Sequence, residues 1–286
     1  MNQDPLSILL PKFIDNLKEK GRSPSTILAY TSDLEQMVAF LTKMSKPLPQ
    51  DVRQEHLSAF RDHLLAQKYT AKSTSRKLNA IKTFFRWIKD NGYVLVDPSK
   101  DVSHPRIEST TPKFLTQIEY RALRDMVRAD SRIAAIVELI IQTGMRISEV
   151  ANLKMANLEK ESLYIEKYAT QPERTVPLNA PAQEALDMYL KDRKSVSPYV
   201  FVSKNGKPLA VRNIRASIDR YMIKAGISNH SINDLRTTFI VESLKRGVDI
   251  VTISQAAGHR RLSTTERYLE LAGIKEAGKK QELEEL

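Results

Sequence analysis

The sequence predicts a mainly α-helical protein with a small β-sheet, an α+β fold divided into two domains. Its 286 residues favour two hydrophobic cores over one. Apolar residues recur at helical spacing throughout the first hundred residues, whereas strand-like runs of Tyr, Ile and Val appear only later. A proline-containing stretch without periodicity separates these two patterns and predicts a linker.

Residues 1–103 are predicted to form an all-helical domain. Four runs carry apolar side chains on one helical face: LSILLPKFIDNLKEKG, SPSTILAYTSDLEQMVAFLTK, RQEHLSAFRDHLLAQ and AKSTSRKLNAIKTFFRWIKDNG. In the second run, Ser23 fits the N-cap position and Pro24 the first helical position. No strand-like alternation interrupts these runs, so we expect helices alone, followed by a linker over residues 104–113.

Residues 114–286 are predicted to form a mixed domain. The run SRIAAIVELIIQTG is nearly all apolar, which is typical of a buried helix. The segment SLYIEKYATQPERTVPL predicts a β-hairpin, because two strand-like runs flank a polar turn. YVFVS followed by KNGKP predicts a short strand and a turn, and VRNIRASIDRYMIKAG predicts a basic amphipathic helix. Helices are also expected in LSTTERYLELAG and in the charged tail KKQELEEL.

Composition narrows the class of partner. The formal charge of +11 and the pI of about 9.6 favour a polyanion, with nucleic acid as the first candidate. The absence of cysteine excludes disulfides and Cys-ligated zinc. No apolar run approaches the roughly 18 residues of a membrane span, and the N-terminus lacks the pattern of a secretory signal. We therefore expect a cytoplasmic, nucleoid-associated protein without a membrane partner.

Two arginines occupy positions that ordinarily favour apolar residues. Arg146 follows the turn that ends the buried helix, and it requires a partner such as Glu149 or access to solvent. Arg236 lies in a helical run beside apolar residues, where an ion pair with Asp234 or Glu242 is the structural alternative. Two rigidly held guanidinium groups can also bind the oxygens of one phosphate. The sequence leaves both interpretations open.

The segment AGHRRLSTTERYLEL adds a histidine and a tyrosine. His259 can donate a hydrogen bond to a phosphate oxygen or help to deprotonate a nucleophile. Tyr268 can attack phosphorus if a positive field stabilises its phenolate. The structural alternatives are a helix cap for the histidine and core packing for the tyrosine.

The motifs TGMRISEV, DLRTTF and GVDIVTISQAAGHRRLSTTERY, in this order, resemble the signature motifs of the tyrosine recombinase (phage integrase) family. The resemblance covers essentially the whole chain. The two-domain organisation is most similar to that of Xer-like and transposon-associated members. The resemblance implies a helical, SAM-like, core-binding domain followed by a tyrosine-recombinase catalytic domain.

The resemblance also implies a reaction, site-specific DNA recombination. Tyr268 is expected to attack the scissile phosphodiester and form a 3′-phosphotyrosine, while Arg146 and Arg236 stabilise the transition state and Glu149 supports the site. No cofactor is expected, because the phosphotyrosine conserves the bond energy and neither ATP nor a metal is needed. The implied partners are double-stranded DNA with a specific site, a homotetramer on two such sites, and a possible accessory protein.

Two positions depart from the family pattern. The usual hairpin lysine falls near Ala169, and the nearest lysine is Lys167, which we expect to protonate the leaving oxygen. Asn233 stands where the family generally has histidine or lysine; it can hydrogen-bond a phosphate but cannot carry a proton. Thr237 stands where histidine is common. These departures leave open a catalytically weakened protein.

Basic side chains predict the DNA contacts. KSTSRK opens a helix with hydroxyl and basic groups, which suits contact with phosphates or the major groove. A solvated helix face is the alternative for any single residue. The predicted contacts are Lys72, Ser73, Thr74, Arg76, Lys77 and Lys82 in the first domain, and Arg212, Arg215 and Arg220 in the second.

Three other functions compete with recombination. A type IB topoisomerase-like enzyme would use the same tyrosine chemistry but rejoin the original strand. A DNA-binding accessory protein with weakened catalysis is favoured slightly by the two departures. An unrelated basic helical regulator accounts for the charge but not for the motifs.

Overall fold

A computed structural model of the chain describes residues 4–108, 111–167 and 171–274. The chain divides into two compact units, Met1–Thr110 and Thr111–Leu286. Both units are dominated by helices, and the second contains a two-stranded sheet, which confirms the predicted fold class. Within the described ranges, no helix combines the length and the apolar character that crossing a bilayer requires.

The described part of the N-terminal unit is helical, as predicted. Ser23 caps α2 by accepting the N–H of Thr26 at 3.3 Å, and Pro24 occupies the first turn. Phenylalanine rings fill the core between the helices, and the Phe13 and Phe84 centroids lie 5.1 Å apart. The α-helices are α1 (Leu6–Glu19), α2 (Pro24–Lys43), α3 (Gln54–Ala66) and α4 (Ala71–Asp90).

The second unit is built around one buried helix. Its elements are α5 (Gln117–Val127), α6 (Ser131–Thr143), α7 (Ile147–Asn152), β1 (Ser162–Ile165), β2 (Arg174–Pro177), α8 (Ala180–Asp192), α9 (Val211–Lys224), α10 (Ile232–Lys245), α11 (Ile250–Ala257) and α12 (Ser263–Glu266). Most of α6 is buried, because its apolar residues surround the helix, and it packs against α8 and α10. The end of α6 is thereby held rigidly in the core.

The predicted β-hairpin is present. β1 and β2 pair antiparallel, with Ser162 opposite Pro177 and Ile165 opposite Arg174. Leu163 on β1 is buried in the core, while Tyr164 beside it points outward, as the two-residue period of a strand requires. Residues 168–170 of the connection lie outside the described ranges.

Two predicted elements differ in the structure. The strand expected at YVFVS is reduced to isolated bridges, Lys154 with Tyr199 and Val202 with Pro208. The side chain of Arg193 donates to four carbonyl groups over residues 195–200. These carbonyls therefore accept hydrogen bonds from a side chain and not from a neighbouring strand.

The helix expected at LSTTERYLELAG is also shorter. Only α12 is helical, and residues 267–273 form successive turns in which N–H groups bond mainly to carbonyls three residues back. Tyr268 therefore lies in a turn. The expected tail helix KKQELEEL lies outside the described residues.

Candidate active site

Arg146 is presented by a tight turn between two helices. α6 ends at Gly144, whose φ of +67° and close contact with Phe239 leave no room for a side chain: an added Cβ atom would lie 2.4 Å from the ring. Arg146 then caps α7, and its N–H donates to the Glu149 carboxylate at 2.8 Å. Its guanidinium donates to Glu149 at 3.0 Å and to the carbonyl of Gly258 at 2.7 Å. The side chain remains 27% exposed, so part of the guanidinium faces solvent.

The Glu149 carboxylate is buried between two arginines. Arg174, at the start of β2, donates its two terminal nitrogens to the two carboxylate oxygens at 2.9 and 2.8 Å. Burial by itself raises the pKa of Glu149, but hydrogen bonding and charge from Arg174, with a further contribution from Arg146, outweigh it and hold the pKa below its ordinary value. Glu149 is therefore an anion that orients two cations.

Arg236 brings a third guanidinium from α10. It donates to the carbonyl of Gly144, the residue that ends α6. Burial first, and then the charge of Arg146, lower the pKa of Arg236 to about 9, which still leaves it protonated at neutral pH. Across the described residues, no carboxylate lies within ion-pair distance of Arg236. Its charge thus has no directly bonded anion.

The two alternative partners of Arg236 are engaged elsewhere. Glu242 pairs with Lys245 at 2.9 Å. Asp234 accepts the backbone N–H of Ser231 at 2.7 Å and so closes the first turn of α10. The simple ion pair that the sequence left open for Arg236 is absent from the described structure.

His259 follows the turn that ends α11. Its Nδ1 atom lies 2.8 Å from the hydroxyl of Thr265, which orients the ring and leaves Nε2 for another partner. Burial, followed by the charges of Arg236, Arg146 and Arg174, lowers the pKa of His259 to about 4. The ring is therefore neutral at physiological pH, because burial and the nearby guanidinium charges both disfavour the imidazolium.

Tyr268 is half-buried beside His259. The two rings are nearly parallel, at 9°, with centroids 6.5 Å apart. The tyrosine packs against a small apolar cluster that includes Ile240 and Ile253. Its hydroxyl group is close enough to Arg236 to act on the pKa of that guanidinium. The structure thus brings Arg146, Arg236, His259 and Tyr268 into one site.

The two departures from the family pattern involve exposed residues. Lys167 is exposed after β1 and lines, with Glu149, a small cavity of about 60 Å³. Position 169, where the family lysine was expected, lies outside the described residues. Asn233 is exposed in the first turn of α10, and its carbonyl accepts the hydroxyl of Thr237 at 3.3 Å. His230 lies instead between Glu119 and Asp234.

The predicted DNA contacts on α4 fall into two groups. Lys72 and Arg76 are exposed, although Arg76 donates to Asp33. Thr74 is fully buried, and Lys77 is buried with its ammonium 2.8 Å from Asp33. The predictions for Thr74 and Lys77 require correction, because helical periodicity turns these two side chains towards α2 and away from solvent.

The remaining predicted contacts are accessible to different degrees. Ser73 hydrogen-bonds the capping side chain of Thr70, and Lys82 donates to the carbonyl of Lys100 at 3.1 Å. The arginines of α9 all lie on its exposed surface, opposite the buried Ile214, Ile218 and Met222: Arg212, Arg215 and Arg220. Their role in DNA binding stays a prediction.

Sequence reasoning missed Arg174 as a site residue. The only signal was an arginine at the start of a strand in RTVPL, and that signal does not reveal the partner Glu149, 25 positions away. It also missed Gly258, whose φ is +64°. An added Cβ atom there would lie 2.8 Å from Arg174 and 3.1 Å from Arg146, so only glycine lets both guanidinium groups approach the backbone.

Comparison with known proteins agrees with this geometry. Residues 113–273 match the model of the phage integrase family, and residues 10–92 match the phage integrase N-terminal SAM-like domain. Tyrosine recombinase XerA of Pyrococcus furiosus is 32% identical over 95% of this chain and 93% of its own length. Tyrosine recombinase XerC of Thermodesulfovibrio yellowstonii is 29% identical over 91% of this chain and 90% of its own.

A solved structure shares the fold. The crystal structure of a lambda integrase tetramer bound to a Holliday junction superposes with a TM-score of 0.77 at 16% identity, covering 99% of this chain and 81% of that one. Both family models match in the expected order, and the catalytic model alone matches more than half of the chain. The chain therefore belongs to the phage integrase family of tyrosine recombinases.

Proposed function

We propose that this protein is a site-specific DNA recombinase that cleaves and rejoins strands through a 3′-phosphotyrosine on Tyr268. The observation that supports this most strongly is the charge of the site. Two guanidinium groups are bonded to the carboxylate of Glu149, and a third, Arg236, lies near it beside a neutral histidine and a tyrosine. The excess of two positive charges suits a phosphodiester that becomes more negative in its transition state.

The proposed cleavage exchanges one phosphoester for another. The Tyr268 oxygen attacks phosphorus as the P–O5′ bond breaks, and the phenolic proton passes to His259 Nε2 or to water. Arg146 and Arg236 stabilise the charge on the non-bridging oxygens. A 5′-hydroxyl of the partner strand then attacks the phosphotyrosine, regenerates Tyr268 and completes the exchange.

The oxygen that leaves in the first step must gain a proton. We propose Lys167 as its donor, because this exposed lysine follows β1 at the edge of the site. A 5′-bridging sulfur leaves without protonation, so Lys167→Ala should cleave an all-oxygen substrate slowly and a sulfur substrate at the wild-type rate. An equal defect on both substrates would assign the proton to another group.

The proposed partners follow from charge and from relatives. The basic surface of α9 and the exposed residues of α4 provide phosphate contacts. A tetramer on two sites is proposed, because a structural relative forms a tetramer on a Holliday junction. An accessory protein and action on nucleoid DNA in the cytoplasm complete the proposal.

Covalent trapping tests the function without knowledge of the target site. Wild-type protein is incubated with random-sequence duplexes nicked at varied positions, so that cleavage near a nick releases a short fragment and prevents rejoining. We expect a denaturation-resistant protein–DNA adduct, and sequencing of its DNA should reveal a preferred site. Tyr268→Phe should bind the same DNA without forming the adduct.

Tyr189→Phe is the matched control. This variant also loses one phenolic hydroxyl in the same unit, but that hydroxyl donates to the carbonyl of Val200, far along the chain from the motifs of the site. It should form the adduct at the wild-type rate. An adduct that survives Tyr268→Phe would show that another residue is the nucleophile, and sequence-specific binding without any adduct would favour the accessory-protein alternative.

A further inference from the structure

Arg174 joins three segments of the active site that are distant in the sequence. It belongs to β2, and two of its nitrogens donate to the two oxygens of Glu149. Its Nε atom donates to the carbonyl of Ala256, near the end of α11, at 2.8 Å. The side chain is only 9% exposed, so its geometry is determined by these bonds and not by solvent.

Each of these bonds leads directly to a residue proposed to act on the phosphate. Glu149 is also bonded to both the backbone N–H and the guanidinium of Arg146. Ala256 lies three residues before His259, in the last turn of α11, which Gly258 ends. The carbonyl of Gly258 accepts a hydrogen bond from Arg146, so the contacts form a closed ring through Arg174, Glu149, Arg146 and this turn.

The ring also includes the hairpin. Arg174 pairs with Ile165 across the two strands, and Lys167 follows Ile165 by two residues. The backbone of Arg174 therefore lies opposite the end of β1 that leads to the proposed proton donor. A single buried side chain thus links the β-hairpin, α7 and α11.

We propose that Arg174 is a positioning residue for strand cleavage, holding Arg146 and His259 in place for attack by Tyr268 through its bonds to Glu149 and Ala256. This inference rests on the proposed recombinase function. Arg174 contributes a planar fork for the carboxylate together with a third donor, Nε, for the carbonyl. Lysine offers one ammonium at a single point, so it cannot reproduce both contacts.

Cleavage kinetics provide the first test. With the duplex recovered from the random pool at saturating concentration, Arg174→Met should lower the single-turnover trapping rate about 100-fold, because small displacements of catalytic groups have effects of this size. DNA affinity should change much less. Arg174→Lys should recover only part of the rate. A wild-type trapping rate in Arg174→Met overturns the inference.

Arg193→Met is the matched control for a purely structural arginine. Arg193 also bonds several carbonyls in this unit, but those carbonyls belong to residues 195–200, which are not members of the ring formed by Arg174, Glu149, Arg146 and the end of α11. Its variant should lower the melting temperature and leave the trapping rate of the folded fraction nearly unchanged. An equal loss of rate in both variants overturns the inference, because general destabilisation then accounts for the defect.

A double-mutant cycle separates positioning from independent effects. If Arg174 acts through Glu149, Arg174→Met should have little further effect on the trapping rate in a Glu149→Gln background. Arg193→Met combined with Glu149→Gln should instead show the product of the two single effects. Multiplicative effects for the Arg174 pair contradict the proposed route.

A DNA-free measurement keeps this inference distinguishable from the proposed function. Nuclear magnetic resonance of Arg174→Met should show faster exchange of the Arg146 guanidinium protons and an altered titration of His259. Unchanged signals overturn the positioning role. If wild-type protein traps no DNA, the recombinase proposal fails by itself, and these two signals still decide whether Arg174 positions Arg146 and His259.

Discussion

Each unit of this protein buries one carboxylate between two cations, but the two clusters differ in what surrounds them. In the N-terminal unit, Asp33 of α2 accepts hydrogen bonds from Arg76 and Lys77 of α4. In the second unit (Thr111–Leu286), called the catalytic unit below, Glu149 accepts from Arg146 and Arg174. The same kind of ion cluster joins two packed helices in one unit and separate segments of an active site in the other.

The difference lies in a third cation. Arg236 adds a guanidinium to the Glu149 cluster without a carboxylate of its own, and its charge contributes, after burial, to the low pKa of His259. The Asp33 cluster contains Lys77 over the ring of Tyr69 and no comparable histidine in its described contacts. A buried ion cluster thus becomes suited to catalysis when it contains more cations than it needs for its own stability.

The largest effect should come from removing this third cation. Arg236→Gln should lower the single-turnover trapping rate by about a thousandfold, the magnitude typical of losing one donor to an oxyanion in a transition state. Asp33→Asn should leave the trapping rate of folded protein nearly unchanged, because Asp33 joins α2 and α4 within the N-terminal unit. A rate for Arg236→Gln near that of wild type would remove the distinction between the two clusters.

Neutralising either carboxylate should destabilise its own unit by a similar free energy. Glu149→Gln and Asp33→Asn should each cost roughly 3–5 kcal/mol of unfolding free energy in their own unit, because each leaves one buried cation, Arg174 or Lys77, without its anion. Urea unfolding measures this. The single tryptophan, Trp87, reports the N-terminal unit by fluorescence, so only Asp33→Asn should shift that transition directly.

A stabilised or unaffected protein after Asp33→Asn would show that Lys77 finds another partner. The same result for Glu149→Gln would show that the Glu149 cluster stabilises the fold less than its geometry implies. In either case, the two clusters would differ in their contribution to the free energy of unfolding as well as in function.

The two units also differ in the surroundings of a glycine that follows a helix. Gly92 follows α4 with a φ of +77° and open space around it, whereas Gly144 follows α6 against Phe239. Gly92→Ala should cost about 1–2 kcal/mol from the left-handed backbone alone. Gly144→Ala should cost roughly 1–3 kcal/mol more, because the methyl group overlaps a buried ring. Melting temperatures compare the two, and Phe239→Leu in combination with Gly144→Ala should recover part of the loss.

The smallest expected effect is a loss of stability at low pH. His259 has an ordinary pKa of 6.5 and a folded-state pKa of about 4, so between these values the unfolded chain binds more protons. Acid should therefore destabilise the catalytic unit as the pH falls from 6.5 towards 4, by about 1 kcal/mol after solvent screening. His259→Asn should flatten this dependence of unfolding free energy on pH.

His104→Asn is the control in the other unit, where burial and Lys82 also lower the pKa of the histidine. An equal change in both variants would show that the three arginines have no special effect.

Local pattern alone predicted most of the helices and the hairpin, and the resemblance of three motifs to a known family singled out the four proposed site residues. Helical spacing, the Ser23 cap and the strand-like runs of the hairpin depend on neighbours a few positions apart, and the structure contains each of them. The motifs around Arg146, Arg236, His259 and Tyr268 are equally local, so they were visible without coordinates. Lys77 was misassigned because charge alone does not show which face of a helix a side chain occupies.

Only the tertiary structure decided which of these residues meet and what connects them. Arg174 reaches Glu149 and Ala256 because folding brings β2, α7 and α11 together, and no spacing in the chain encodes those contacts. The requirement for glycine at 258 arises in the same way, from two guanidinium groups that approach the backbone from distant segments. The physical reason is that hydrogen bonds and charge interactions depend on distance in space, whereas sequence patterns record distance along the chain.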